Sequence, residues 1–149
     1  MLNVYQYDEY TESYVAHSEG GAQTNPVRTL HNPRELAVVE KKLFVSNDNP
    51  LKYYTGVTLK FLPVALTLSN SNGFEYKILQ SDAQPSAAEW AAVLSGNVVT
   101  IGGIGDSDAA DQSFVAFWIQ ISLPRSTTQA TYTNVNINVH YDTEAPVVP

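Results

Sequence analysis

The stretch that decides the fold class is FVAFWIQISL, residues 114–123. Its apolar side chains recur at every second position, which is the period of a strand with one buried face. Pro124 follows and ends the run, because proline cannot donate a ladder hydrogen bond. The inward-facing residues of this predicted strand are Phe117, Ile119, Ile121 and Leu123. Trp118 falls on the opposite, more polar face.

The same alternation returns along much of the chain. The run TNVNINVHY, residues 133–141, alternates apolar residues with asparagine, and turn-forming clusters stand at 46–50 and 69–73. The clearest of the predicted strands are 37–45, 53–61, 74–78, 97–101, 114–123 and 133–141. About seven strands, spaced roughly ten residues apart, predict an all-β fold: a single antiparallel β-sandwich of jelly-roll or immunoglobulin-like type.

One short helix is predicted over residues 86–94. Ser86 and Glu89 have the spacing of a capping box, and Gly96 supplies a stop after the last turn. A helix of about two turns is not stable alone, so it must dock on the sheet. The residues expected to dock it are Trp90, Val93 and Leu94.

Composition excludes several classes of protein. The 149 residues include 15 acids, 8 bases and no cysteine, for a net charge of −7. This balance argues against nucleic-acid binding through a basic face, and the missing cysteines exclude a disulfide scaffold. A hydrophobic share of 44% argues against charge-driven disorder. No stretch approaches the roughly 18 apolar residues of a membrane span, so no membrane partner is expected.

The acidic residues are concentrated at the start of the chain. Residues 1–26 carry four acids, no base and four tyrosines. They predict an extended N-terminal arm (1–26) preceding the sandwich domain (27–149), with tyrosines available for an interface. A terminal strand of the domain's own sheet is the alternative. The interface candidates in the arm are Val4, Tyr5, Tyr7, Tyr10 and Tyr14.

A second candidate surface lies in the basic part of the chain. Tyr53 and Tyr54 follow Lys52 at the start of a predicted strand. The alternative is the rim of a hairpin with no partner.

The chain offers no specific catalytic signature. His17, His31 and His140 stand at no zinc-binding spacing, and no GxSxG nucleophile elbow is present. The segment 103–105, Gly-Ile-Gly, lacks the third glycine of a dinucleotide fingerprint. These observations predict a non-enzymatic protein with no catalytic residue and no cofactor.

One acidic loop has ligand chemistry. Asp106, Asp108 and Asp111 lie within six residues on a glycine-rich loop, and carboxylates are the ligands that calcium prefers. The EF-hand spacing fails, so these are weak metal candidates. An acidic surface loop is the alternative.

Several stretches form a recognisable combination: VEKKLFVSND (39–48), KYYTGV (52–57), QPSAAEW (84–90), IGGIGD (101–106) and FWI (117–119), followed by a Thr/Asn-rich last strand. Together they resemble a recurring type of tailed-bacteriophage virion protein. The match covers roughly residues 38–141. It departs from the pattern at 123–127, LPRST, where the glycine that usually precedes the threonine is absent.

The resemblance implies a virion structural protein, with no catalytic residues to carry over. A small single domain favours a capsid cement or decoration protein, made in the host cytoplasm and bound to the head surface. Its expected partners are the major capsid protein and copies of itself, with a homo-oligomer, a trimer for example, on a local symmetry axis.

Two alternatives remain open. The first is a tail, baseplate or host-recognition protein of the virion. The second is a carbohydrate-binding module with an aromatic platform drawn from Trp118, Tyr53, Tyr54 or Tyr76.

Overall fold

A computed structural model gives the fold and describes residues 2–16, 18–19, 22–23, 27–31, 37–63, 75–105, 113–123 and 130–148. Strands dominate these ranges, and the all-β prediction is confirmed. The strands are β1 (Leu2–Asp8), β2 (Ser13–Ala16), β3 (Ser18–Glu19), β4 (Ala22–Gln23), β5 (Val27–His31), β6 (Ala37–Asn47), β7 (Lys52–Pro63), β8 (Glu75–Gln80), β9 (Val98–Ile104), β10 (Val115–Leu123), β11 (Ala130–His140) and β12 (Thr143–Pro146). The helix is α1 (Ala87–Ala91).

The first sheet has the order β2-β1-β6-β10-β8, and all its pairs are antiparallel. The strand predicted from residues 114–123 is β10, which lies between β6 and β8. Its register with β6 runs without interruption from Val115 opposite Val45 to Leu123 opposite Ala37. This long pair forms the centre of the sheet.

The second sheet is built around β7. Along one edge of β7 run β11 and then β12, while β9 pairs with the other edge and β5 extends the sheet beyond β11. Gly56 lies where β7 passes from β12 to β11, with a left-handed φ of 61°. The register with β9 shifts between Tyr54 and Val57. A bulge of this kind lets the inward and outward positions exchange along the strand.

The two sheets pack face to face and enclose one apolar core. Alternate residues of the strands face inward, as the sequence predicts for Leu43, Val57 and Phe117. Complete burial stabilises each such side chain by about 1.5–3 kcal/mol relative to exposure. Among the described residues, the fully buried apolar side chains are Leu43, Val45, Tyr54, Val57, Leu59, Ile78, Ile104, Phe117, Ile119 and Ile121.

The prediction of an extended N-terminal arm over 1–26 is wrong for residues 2–16. They form the hairpin β1–β2, and β1 also pairs with β6 through Leu2 opposite Asn47 and Val4 opposite Val45. Leu2 and Val4 belong to the core. The alternative, a terminal strand of the domain's own sheet, describes β1 because apolar residues at positions 2 and 4 satisfy the same alternation as the other strands.

The capping box predicted for the helix is confirmed. The Ser86 hydroxyl accepts from the Glu89 amide at 3.2 Å, and the Glu89 carboxylate accepts from the Ser86 amide at 2.6 Å. Trp90 is buried as predicted, whereas Leu94 is 83% exposed and does not dock the helix. The helix ends before residue 94, so Leu94 falls in the turn that follows.

Candidate interaction surface

Five aromatic side chains meet on the outer face of the first sheet. Because Val4 and Val45 point into the core, their neighbours Tyr5 and Phe44 point outward, and the two lie opposite each other in the register. Tyr7 likewise lies opposite Tyr14 in the β1–β2 hairpin. We call this cluster the aromatic patch; its members are Tyr5, Tyr7, Tyr14, Phe44 and Phe114.

Tyr14 is the centre of the patch. Its ring stacks on Phe114 with centroids 3.7 Å apart and an interplanar angle of 7°. It also makes edge-to-face contacts with Tyr7 and Phe44, each at 5.1 Å. Tyr5 meets Phe114 edge-on at the same distance. Such ring pairs contribute about 0.5–1.5 kcal/mol each beyond their buried area, so the patch is held in one arrangement before any partner binds.

The patch keeps substantial contact with solvent. Tyr7 and Tyr14 are each 40% exposed, and the other three rings are partly buried. Segment 82–90 packs over the opposite, β8 side of the same outer face, where Lys77 Nζ donates to the Trp90 carbonyl at 3.0 Å. Glu40 accepts there from Gln84 and Gln120. The helix segment and the aromatic patch thus occupy different halves of this face.

Acidic residues border the patch at the turn between β1 and β2. Asp8 accepts hydrogen bonds from the amides of Tyr10 and Thr11 at 2.8 and 3.3 Å. These bonds hold the pKa of the Asp8 carboxyl below its usual value, so it stays ionised at neutral pH. Glu9 and Glu12 are exposed on the same turn.

A cation already lies over one ring of the patch. Lys42 Nζ is 5.4 Å from the centroid of the Phe44 ring, within the range of a cation–π interaction. The same ammonium donates to the Asp82 carbonyl at 2.5 Å. Lys42 therefore ties segment 82–90 to the edge of the patch.

A recess adjoins the patch where β8 ends and β10 begins. Its volume is about 320 Å³, and Phe114 contributes to both recess and patch. Asp82 adds a carboxyl to the lining. The remaining lining residues are Gln80, Ser81, Val115 and Ala116.

The structure brings together three of the seven predicted interface residues. Tyr5, Tyr7 and Tyr14 lie in the aromatic patch, whereas Tyr10 is 96% exposed on the turn and makes no ring contact among the described residues. The prediction that Val4 lies at an interface is wrong, because Val4 is buried in the core between the two sheets. Phe44 and Phe114 were missed; once the inward positions are assigned, both stand out as aromatic residues left on the outward side.

The prediction that Tyr54 lies at an interface is also wrong. It is fully buried, and its ring meets Tyr141 at 4.9 Å, whereas Tyr53 next to it is only partly buried. Burial raises the pKa of the Tyr54 hydroxyl well above its usual value. The predicted surface at Tyr53 and Tyr54 is therefore split between core and surface.

The aromatic residues considered for a carbohydrate platform do not form one surface. Trp118 lies on the outer face of the first sheet, where its indole Nε1 is buried, whereas Tyr76 packs against the core on the inner face. Tyr53 belongs to the second sheet. No shared sugar-binding plane joins these three described side chains.

The weak calcium candidates Asp106, Asp108 and Asp111 lie outside the described residues. Within the described ranges, no group of three or more His, Asp or Glu side chains is placed to hold a metal ion. His140 lies 3.8 Å from Asp142 on the exposed end of the second sheet. No helix in the part of the chain that the structure describes is long and apolar enough to cross a membrane.

Comparison with known proteins leaves the function open. No family model matches the chain, and no curated protein matches it. A functional proposal for this chain must therefore rest on its own residues and their geometry.

Proposed function

We propose that the chain is a structural subunit of a tailed-phage virion, bound as a cement or decoration protein to the outer surface of the head shell. Its partners are the major capsid protein and neighbouring copies of itself, arranged as a homo-oligomer. The resemblance over residues 38–141 suggests the virion, and the β-sandwich fold is compatible with it. The observation that carries the proposal is the exposed aromatic patch.

An exposed set of packed rings suits a binding surface. Tyrosine and phenylalanine supply large contact area at low cost in conformational entropy, and aromatic residues are enriched at the centres of protein interfaces. In this chain the rings already contact one another, so docking would order few side chains. Most of the side-chain entropy needed to order this surface is therefore lost when the chain folds, before a partner binds.

A shell lattice multiplies weak contacts. A subunit with one modest docking surface gains avidity when several copies are joined and each finds its own site on the repeating shell. An oligomer on a local symmetry axis satisfies this geometry. The protein stabilises the head without any chemical step.

The proposal is tested by locating the chain in purified particles of the phage that encodes it. We expect stoichiometric amounts in tailless heads, and we expect heads assembled without it to break at lower temperature or under milder osmotic shock. Finding the chain only in tails or baseplates would replace the head proposal by the tail alternative.

A matched pair of variants ties head binding to the patch. Tyr14→Ser removes the central ring, whereas Tyr10→Ser removes an equally large side chain that is 96% exposed on the same hairpin. We expect Tyr14→Ser to reduce sedimentation with heads and Tyr10→Ser to leave it unchanged. Equal binding by both variants would argue against docking through this face.

A further inference from the structure

The geometry points to the chemistry of the partner: we propose that the aromatic patch and its acidic border bind an extended protein segment that carries arginine. The inference deepens the proposed function, since a shell protein would supply the segment, but its evidence is the patch itself.

The first argument is the ring faces. An arginine guanidinium stacks on aromatic rings and is attracted by their negative faces. Lys42 over Phe44 shows that the patch accommodates a cation at one of its rings. Tyr7 and Tyr14 are both 40% exposed and remain accessible to a second cation.

The second argument is charge complementarity. Glu9 and Glu12 are exposed on the turn that continues from Tyr7 and Tyr14. The first 26 residues contain no lysine or arginine to neutralise them. Asp82 lines the recess beside Phe114, and Lys42 Nζ donates to its carbonyl. The acidic turn therefore supplies the carboxylates available to a cationic ligand on this surface.

A short extended peptide is long enough to cover the patch. The rings come from four neighbouring strands, β2, β1, β6 and β10, and the stacking of Tyr14 on Phe114 draws them into one compact cluster. An extended segment of about five residues is roughly 16 Å long at about 3.3 Å per residue. With arginines four residues apart, one guanidinium can lie on the exposed rings while the other reaches the acidic turn.

The same charges disfavour other occupants. A second copy docked patch to patch would bring two acidic turns of like charge to one interface, and a nucleic acid would bring its phosphates to the same carboxylates. A neutral glycan would use the rings but leave the carboxylates without a role. A basic protein segment uses both features.

The test compares three synthetic peptides of one design: fluorescein-Gly-Arg-Gly-Leu-Gly-Arg-Gly, its lysine version and its glutamine version. Fluorescence anisotropy at low salt measures their binding to the full chain. We expect the arginine peptide to bind about tenfold more tightly than the glutamine peptide and more tightly than the lysine peptide, and to weaken as salt is added. Equal binding of the arginine and glutamine peptides would overturn the proposal.

Two protein variants locate the binding site. Glu9→Gln combined with Glu12→Gln removes two exposed charges from the turn without touching the core, and we expect it to weaken the arginine peptide several-fold. Tyr7→Ser should also weaken it, and Tyr10→Ser should not. If circular dichroism shows that Tyr7→Ser is unfolded, the charge variant decides alone. If the arginine peptide binds the folded Glu9→Gln/Glu12→Gln variant as tightly as it binds the original chain, the acidic turn is not part of the binding site.

The outcomes separate the two proposals. Discrimination between the peptides by a chain that is absent from heads would sustain arginine recognition and refute the cement function. A chain that decorates heads but does not distinguish the peptides would sustain the cement function and refute arginine recognition.

Discussion

Gly56 determines which of the two preceding tyrosines, Tyr53 or Tyr54, is buried. Strict alternation from Val57 and Leu59 would place Tyr53 with the core and Tyr54 outside. The bulge at Gly56 shifts the register, so Tyr54 is buried instead. The dipeptide alone gives no sign of this, because the bulge depends on the left-handed φ of Gly56 and on the hydrogen bond from the Asp142 amide to the Thr55 carbonyl.

Burial of Tyr54 predicts a loss of stability at alkaline pH. The unfolded chain releases the tyrosine proton near pH 10, whereas the folded protein holds it to higher pH because burial raises the pKa. The unfolded state therefore loses its proton first, and the free energy of unfolding falls as the pH rises above about 10. We expect Tyr54→Phe to remove this contribution and Tyr53→Phe to retain it. Urea midpoints measured between about pH 9 and 11 give the comparison, and identical curves for the two variants would contradict it.

At the scale of elements, the sequence predicts strands and their faces well, because alternation is a local property. It predicts the helix from its capping box for the same reason. Which strands pair is not local: β1 lies beside β6, and β10 beside β8, through contacts between distant parts of the chain. The acids and tyrosines of residues 1–26 suggested an arm, although Leu2 and Val4 already showed the alternation of a buried strand.

The capping box of α1 carries a prediction for the helix segment. We expect Ser86→Ala to lower the free energy of unfolding by about 1 kcal/mol, because the Glu89 amide loses its acceptor at the helix start. Glu89→Gln keeps an oxygen that can accept from the Ser86 amide, so its effect should be smaller. Urea denaturation followed by tryptophan fluorescence reports both, since Trp90 is buried in this helix. An unchanged midpoint for Ser86→Ala would show that the cap contributes nothing.

At the scale of the whole molecule, the aromatic patch belongs to the sandwich rather than to an appendage. Its rings come from β1, β2, β6 and the residue before β10. Sequence alone found the three tyrosines because they cluster near the N-terminus. It missed Phe44 and Phe114 because their meeting with Tyr14 requires the assembled sheet.

Removal of the first strand should therefore unfold the domain. Deleting residues 1–8 takes Leu2 and Val4 from the core and leaves both β2 and one edge of β6 without a partner strand. We expect the truncated chain to lose cooperative thermal unfolding as measured by circular dichroism. Deleting Val148 and Pro149, where Val148 is 59% exposed, is the matched control and should have little effect. If the chain lacking residues 1–8 still unfolds cooperatively at the original temperature, the first strand is not needed for folding and the prediction of an N-terminal arm is supported.

The stacking of Tyr14 on Phe114 also links formation of the aromatic patch to biosynthesis. The N-terminal hairpin leaves the ribosome early, but Phe114 and β10 follow only after most of the chain has been made. A nascent or truncated chain can display the tyrosines, yet it lacks the ring on which the central one stacks. Long-range pairing of this kind is slow to form. The aromatic patch is therefore complete only once nearly the whole chain has been made and has folded.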